Sequence, residues 1–289
     1  MSELFSRRSI VAGAAASVWA GAALAASDRF AAVETKVGGR LGVAALDVTS
    51  GARLAHRDDE RFPMCSTFKA MAASAVLARV DRGAERLDRF VTYTEADLLS
   101  YAPVTRQHVK EGGMALGDLC AAAVELSDNT AANLVLAAAG GPAGWTGFVR
   151  SLGDAASRLD RNEPSLNTSV PGDPRDTTTP LAMMSDLKLA VLGKVLSPGS
   201  CGRLTGWLVA GQTGGARLRA GLPASWRVGD KIGTGNHGTA NDIAVAWTPD
   251  GPIVIASYLT GADRASDAER DSAHADVARI VAETLRPHG

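Results

Sequence analysis

The stretch Trp226-Arg227-Val228-Gly229-Asp230-Lys231-Ile232-Gly233-Thr234 decides the fold, because two further apolar runs, Ile243 to Thr248 and Ile253 to Thr260, return after it. Short β-branched runs bounded by turn residues read as successive strands. A closing helix is expected from Ala265 to Leu285, with Asp267, Glu269 and Asp271 near its start, where carboxylates suit the positive end of a helix. At the other end of the chain, Arg40 to Val48 reads as a strand, Thr49-Ser50-Gly51 as a turn and Ala52 to His56 as a returning strand. Together they make a hairpin. From Ser66 to about Leu208 the pattern is helical, broken at Gly112-Gly113, Gly140-Gly141-Pro142 and Pro171-Gly172-Asp173-Pro174. Strands near both termini around a helical middle imply an α+β chain. A sheet domain, 27–64 and 209–289, would hold an inserted all-α domain, 65–208.

The bulk properties narrow the function classes. At 289 residues the chain is long enough to bury a full core. A formal net charge of −1, with no basic stripe, argues against a nucleic-acid partner. The five histidines, His56, His108, His237, His274 and His288, lack the close spacing of a zinc hydrolase, so no metal site or cofactor is expected. Each is expected at the surface or in a loop. The N-terminus, 1–26, reads as an export signal: Arg7-Arg8, an Ala-rich apolar stretch from Ile10 to Ala26, and a small-x-small site at Ala23-Leu24-Ala25. Ser6-Arg7-Arg8-Ser9-Ile10 fits a twin-arginine (Tat) signal, and the whole fits an ordinary secretory (Sec) signal as well. Either places the mature protein in the periplasm or outside the cell, with no stable membrane anchor after cleavage.

Chemistry enters where the helical middle begins, at Cys65-Ser66-Thr67-Phe68-Lys69. A serine hydroxyl needs a neighbouring base to become a nucleophile, and a lysine three residues on shares its face of a helix. Strong helix formers follow Lys69, and Pro63 precedes it at a position that suits a helix start. Three more clusters appear in order: Ser127-Asp128-Asn129, then Arg161-Asn162-Glu163-Pro164-Ser165-Leu166-Asn167, then Lys231-Ile232-Gly233. With these four clusters the chain resembles the class A serine β-lactamases, over residues 30 to 285 or so. One position departs: Ile232 stands where the family has Thr or Ser.

The resemblance implies a five-stranded antiparallel sheet flanked by helices, an active site at the domain junction, and a monomer acting on small β-lactam molecules. It implies that Ser66 attacks the β-lactam carbonyl, that backbone N–H groups of Ser66 and Thr234 form the oxyanion hole, and that Ser127 passes a proton to the departing nitrogen. Lys69 and Lys231 would keep the field positive around Ser127. Asn129 would orient Lys69 and meet the substrate amide, Asp128 would anchor its loop, and Tyr101 would wall the pocket. Glu163 and Asn167 would hold the water that hydrolyses the acyl-serine. Arg161 and Asp176 would close the neck of an Ω-like loop, about 160–177. Whether Lys69 or Glu163 takes the Ser66 proton stays open.

Arg217, in Gly214-Gly215-Ala216-Arg217, is the arginine expected to bind the substrate carboxylate, since Ala240 stands at the alternative family position. Gly233 and Gly235 would let a ligand approach the strand edge. Cys120 sits where many relatives have half a disulfide, but its usual partner position is Ala73. Cys65 is bridged in one subgroup to a position that is Gly235 here. All three cysteines, with Cys201, are therefore expected to be free. Two rivals remain: a penicillin-binding D,D-peptidase, which shares Ser66, Lys69, Ser127 and Lys231 in type, and a β-lactam sensor domain, which acylates and stays acylated. Neither should carry the Glu163–Asn167 pair, which separates an enzyme that turns over from one that stays acylated.

Overall fold

A computed structural model describes the backbone of residues 7–287 and the side chains from Gly21 onward. Helix α1 (Arg7–Val37) leads into the hairpin β1 (Arg40–Asp47) and β2 (Arg53–His56). Strand β3 (Phe62–Pro63) precedes a 3₁₀ turn, Cys65–Thr67, which runs straight into α2 (Phe68–Asp81). Next come β4 (Phe90–Thr92), α3 (Thr105–His108), β5 (Gly113–Ala115), α4 (Leu116–Glu125), α5 (Asn129–Ala138) and α6 (Gly141–Ser151). A long loop then reaches β6 (Thr177–Thr178), α7 (Pro180–Leu192), α8 (Pro198–Val209) and the short α9 (Leu218–Gly221). The chain closes with β7 (Arg227–Gly235), β8 (Thr239–Thr248), β9 (Gly251–Thr260) and α10 (Asp267–Leu285).

Five strands form one antiparallel sheet in the order β2-β1-β9-β8-β7. Its inner strands β1, β9 and β8 carry long apolar runs because both of their faces are buried. Successive side chains point to opposite faces. Ile243 and Val245 of β8, with Val254 and Ala256 of β9, face the core that contains α2, α7 and α8. Their neighbours Ala244, Ala246, Ile253 and Ile255 face α10 and α1 on the other side. Each fully buried Ile or Val contributes roughly 1.5–3 kcal/mol, so a register slip of one residue would be costly on both faces at once. This double burial leaves β7 as the edge strand nearest the helical elements, and the edge is where the site forms.

The strand and helix bounds differ from the sequence reading by a few residues, with one instructive exception. Strand β8 begins at Thr239, four residues before the expected Ile243. The polar pair Asn241-Asp242 hides the strand from a hydrophobicity pattern, yet both side chains are buried and bonded. Asn241 donates to the Pro63 and Met64 carbonyls, and Asp242 accepts from Leu218 N–H. His274 corrects the expectation that every histidine lies at the surface or in a loop. It is fully buried inside α10, where Nδ1 meets Ser257 Oγ at 2.8 Å and Nε2 meets the Ala240 carbonyl at 3.0 Å. Two polar partners of that kind let a ring sit in an otherwise apolar layer.

Helix α1 was not read from sequence, because an Ala-rich leader masks its periodicity. From Ala26 onward it docks: Ala26, Phe30 and Val33 are buried against the sheet and α10. The expected cleavage site, Ala23-Leu24-Ala25, lies just before that docked segment. Ser6 of the twin-arginine pattern, the side chains of Arg7-Arg8 and most of the apolar stretch lie outside the described residues. No helix among the described residues is long and apolar enough to cross a membrane.

Candidate active site

Ser66 sits in the 3₁₀ turn that opens α2, so its N–H points out of a helix start, where donors are unpaired and the dipole favours negative charge. Cys65 before it has φ 45°, a left-handed conformation that costs a non-glycine residue about 1–3 kcal/mol. Ser127 is held the same way, at φ 58°. Nothing in the residue types announces either strain. The Cys65–Ser66 segment packs against edge strand β7. A Cβ added at Gly233 would stand 2.7 Å from Met64 O and 3.1 Å from Ser66 N, and one added at Gly235 would stand 2.6 Å from Cys65 Sγ. These glycines therefore admit the close approach of the Cys65–Ser66 segment to β7, and Gly233 also lines the cleft.

The two lysines converge on Ser127. Lys69, fully buried, donates to the Ser127 carbonyl at 2.8 Å, to Ser127 Oγ at 3.3 Å and to Asn129 Oδ1 at 2.6 Å. Lys231 donates to the same Ser127 Oγ at 3.0 Å and to the Ile232 carbonyl at 2.9 Å. Burial holds the Lys69 pKa below its ordinary value, against the upward pull of Glu163. Burial, with Lys69 close by, pushes Lys231 down to about 7. Removing an ammonium from water disfavours its charged form, and a second ammonium beside it does so again. No hydrogen bond joins Lys69 to Ser66. The serine hydroxyl donates instead to Glu163 Oε1 at 3.2 Å, and that oxygen pairs with Lys69 Nζ at 3.0 Å.

Glu163 is buried and held at both ends. Its Oε2 accepts from Asn167 Nδ2 at 2.5 Å. Its backbone is clamped by Asn133, which donates from Nδ2 to Glu163 O and accepts from Glu163 N–H, both at 2.9 Å. Asn133 was missed in the sequence. Its signal is its place four residues after Asn129 on α5, hence on the same helix face. The loop neck is closed as expected: Arg161 Nε donates to Asp176 Oδ2 at 2.6 Å, while Asp176 Oδ1 accepts two backbone N–H groups. Asp128 caps α5 through Ala131 N–H and holds Val104 and Thr105 N–H. The same loop places Tyr101, 49% exposed, beside the cleft.

The cleft measures about 310 Å³ and is lined by Ser66, Tyr101, Ser127, Asn129, Asn167, Thr213, Ile232, Gly233 and Thr234. Lys69, Lys231 and Glu163 lie beneath its floor. Thr213 is a second residue the sequence reading missed, since Gly211-Gln212-Thr213-Gly214-Gly215 looks like any loop. Arg217 differs from expectation. It is buried and does not line the cleft. Nε pairs with Asp271 at 2.6 Å, Nη1 donates to the Gly233 and Asn241 carbonyls, and Nη2 donates to Thr234 Oγ1, each at 2.8 Å. Its reach into the cleft thus runs through Thr234, whose hydroxyl proton stays free to donate. All three cysteines are free. Burial pushes the Cys65 thiol up to about 12. Among the described residues, no group of three or more His, Cys, Asp or Glu is arranged to hold a metal.

The comparisons agree with this geometry. The Beta-lactamase enzyme family matches residues 25–285. Beta-lactamase L2 of Stenotrophomonas maltophilia is 51% identical over 269 residues, covering 92% of this chain and 88% of that protein. Beta-lactamase AST-1 of Nocardia asteroides is 50% identical over 262 residues, 90% of this chain and 84% of the other. A solved structure described as the last common ancestor of Gram-negative bacteria class A β-lactamase is 58% identical, with a TM-score of 0.88, over 91% of this chain and all of the other. Sequence clusters, sheet topology and site geometry converge on one assignment: the chain belongs to the class A serine β-lactamases.

Proposed function

We propose that this β-lactamase opens the β-lactam ring through an ester on Ser66 and clears that ester with a water activated by Glu163. One observation carries the reading. Glu163 touches Ser66 Oγ and Lys69 Nζ through one carboxylate oxygen and Asn167 through the other. Ser66 attacks the lactam carbonyl, and its proton passes to Glu163 or Lys69. Backbone N–H groups of Ser66 and Thr234 receive the oxyanion, a contribution worth on the order of 10²–10³ in rate per donor. Ser127, flanked by two lysines, delivers a proton to the ring nitrogen as the C–N bond breaks. A water held between Glu163 and the buried, otherwise unpartnered Asn167 Oδ1 then attacks the ester. General-base help of this kind is worth about 10²–10⁴.

The protein is an exported monomer without a membrane anchor, and the cleft lies between the sheet unit, 27–64 and 209–289, and the helical unit, 65–208. Cleavage after Ala25 would remove the leader and keep the docked part of α1, from Ala26, intact. Steady-state kinetics on a penicillin, a cephalosporin and a carbapenem test the activity, with Ser66→Ala as control. Repeated turnover that Ser66→Ala abolishes is expected. A single acylation event without turnover would overturn the deacylating role of Glu163. Fractionation of an expressing Gram-negative host tests the location, and a cytoplasmic, unprocessed product would overturn it.

A further inference from the structure

We infer that the Thr213 hydroxyl is a direct contact for the ring carboxylate of the substrate, completing an anion site that strand β7 supplies only in part. The inference rests on the β-lactam reading of the cleft. Alternation along β7 turns Ile232 and Thr234 to one face, and both line the cleft. That wall therefore offers one hydroxyl and one branched hydrocarbon. It also offers no cation at its surface: Arg217 is spent on Asp271, two carbonyls and Thr234, and Lys231 is buried beneath. An ionised carboxylate has about four acceptor positions, and leaving them without donors in a desolvated site is costly.

Thr213 lines the same cleft on the loop beside β7, and its side chain bonds to no protein group among the described residues. Its loop is fixed rather than loose. Gln212 N–H donates to Glu125 O at 2.9 Å, and Arg217 N–H donates to Gly214 O at 3.1 Å. Gly214 lies flat on Asp230, where an added Cβ would stand 1.5 Å from Oδ2. A donor on a held segment binds without first being ordered. Thr213 and Thr234 then supply the carboxylate with two hydroxyls, where Ile232 supplies none.

Thr213→Val keeps the branched shape and removes the hydroxyl. It should lower kcat/KM for benzylpenicillin about tenfold, mainly through KM, the size expected for one hydrogen bond to a charged group. Hydrolysis of benzylpenicillin methyl ester should stay within about twofold, because the ester carries no anion. Thr213→Ser should keep near-native kinetics. In an Ile232→Thr background, where β7 supplies a second hydroxyl, the Thr213→Val penalty should shrink to about threefold or less. An unchanged kcat/KM for the acid, an equal loss on acid and ester, or the same penalty in both backgrounds would each overturn the assignment. A native enzyme inactive on both acid and ester would instead refute the β-lactamase reading on which it rests.

Discussion

Replacing Glu163 with glutamine separates the two halves of the reaction. The backbone bonds to Asn133 stay, and a glutamine carbonyl can still accept from Asn167, so the loop should hold its shape. What is lost is a base 3.2 Å from Ser66 Oγ and an anion 3.0 Å from Lys69 Nζ. Loss of the base should slow deacylation by about 10²–10⁴, or roughly 2.7–5.5 kcal/mol of barrier. Loss of the anion acts on Lys69. Burial already lowers its pKa, and Glu163 is the strongest influence holding it up. Without Glu163 the Lys69 pKa should fall further, which favours the neutral amine that can accept the Ser66 proton, so acylation should survive.

Intact-protein mass spectrometry after mixing with benzylpenicillin should therefore show a persistent adduct carrying the drug's full mass. Unmodified protein, or turnover within about tenfold of native, would refute the assignment of Glu163. Thermal unfolding checks the lysine separately. A buried ammonium stripped of its partner would cost about 3–5 kcal/mol, or roughly 6–20 °C in Tm for a chain of this size. A neutral amine that keeps the Ser127 carbonyl and Asn129 as acceptors costs far less. A fall of more than about 6 °C would refute the neutral-lysine step while leaving the deacylation assignment standing.

Other outcomes follow from the same contacts. Arg217→Ala should raise KM for penicillins about tenfold with a smaller change in kcat, because Thr234 loses the donor that orients it; kinetics within twofold of native would show that Thr234 needs no such support. Arg217→Lys should rescue little, since one ammonium cannot meet four partners in a plane. Asp186 is buried beside Asp154, which together push its carboxyl up to about 9. Its folded pKa lies above the unfolded value, so stability is full below about pH 4 and falls as pH rises toward 9. Asp186→Asn should accordingly raise stability at pH 7 by about 1–4 kcal/mol in denaturant unfolding, and a loss there would show the pair to be bonded in some other way. His274 works in the opposite sense. Burial, with Arg217 nearby, holds its pKa down to about 3, so stability is full above about pH 6.5 and falls by up to ~1.4 kcal/mol per unit on acidification. A His274→Gln variant should show a shallower acid limb, and an identical one would remove His274 as its cause.

Much of the fold was legible because burial on both faces makes β9 and most of β8 plain apolar runs, and because Ser66, Ser127, Glu163 and Lys231 each sit in a compact cluster of polar residues. What stayed hidden was of two kinds. Buried polar residues that serve geometry, such as Asn133, Asn241 and His274, look like loop or surface residues, since their value lies in partners remote in sequence. The second kind is direction. Arg217 is the residue type expected at a carboxylate site, but residue type does not say where the guanidinium points, and here it faces Asp271 and the backbone of β7.

That inward turn explains why the site can carry Ile232. The positive charge beside the β7 wall of the cleft belongs to Arg217 and Lys231, both buried and both already bonded. Asp271 balances the arginine, and the lysine holds its proton weakly, at about 7. Neutral donors ahead of these charges must make the direct contacts. In such a wall each hydroxyl counts, and an apolar side chain at 232 removes one of them without unbalancing a charge. The cost should fall on binding rather than on bond breaking, because the bonds of Ser66, Ser127 and Glu163 do not involve the Ile232 side chain. Ile232→Thr should thus raise kcat/KM for penicillins through KM, with kcat nearly unchanged, and a gain carried by kcat instead would place residue 232 in the chemical step.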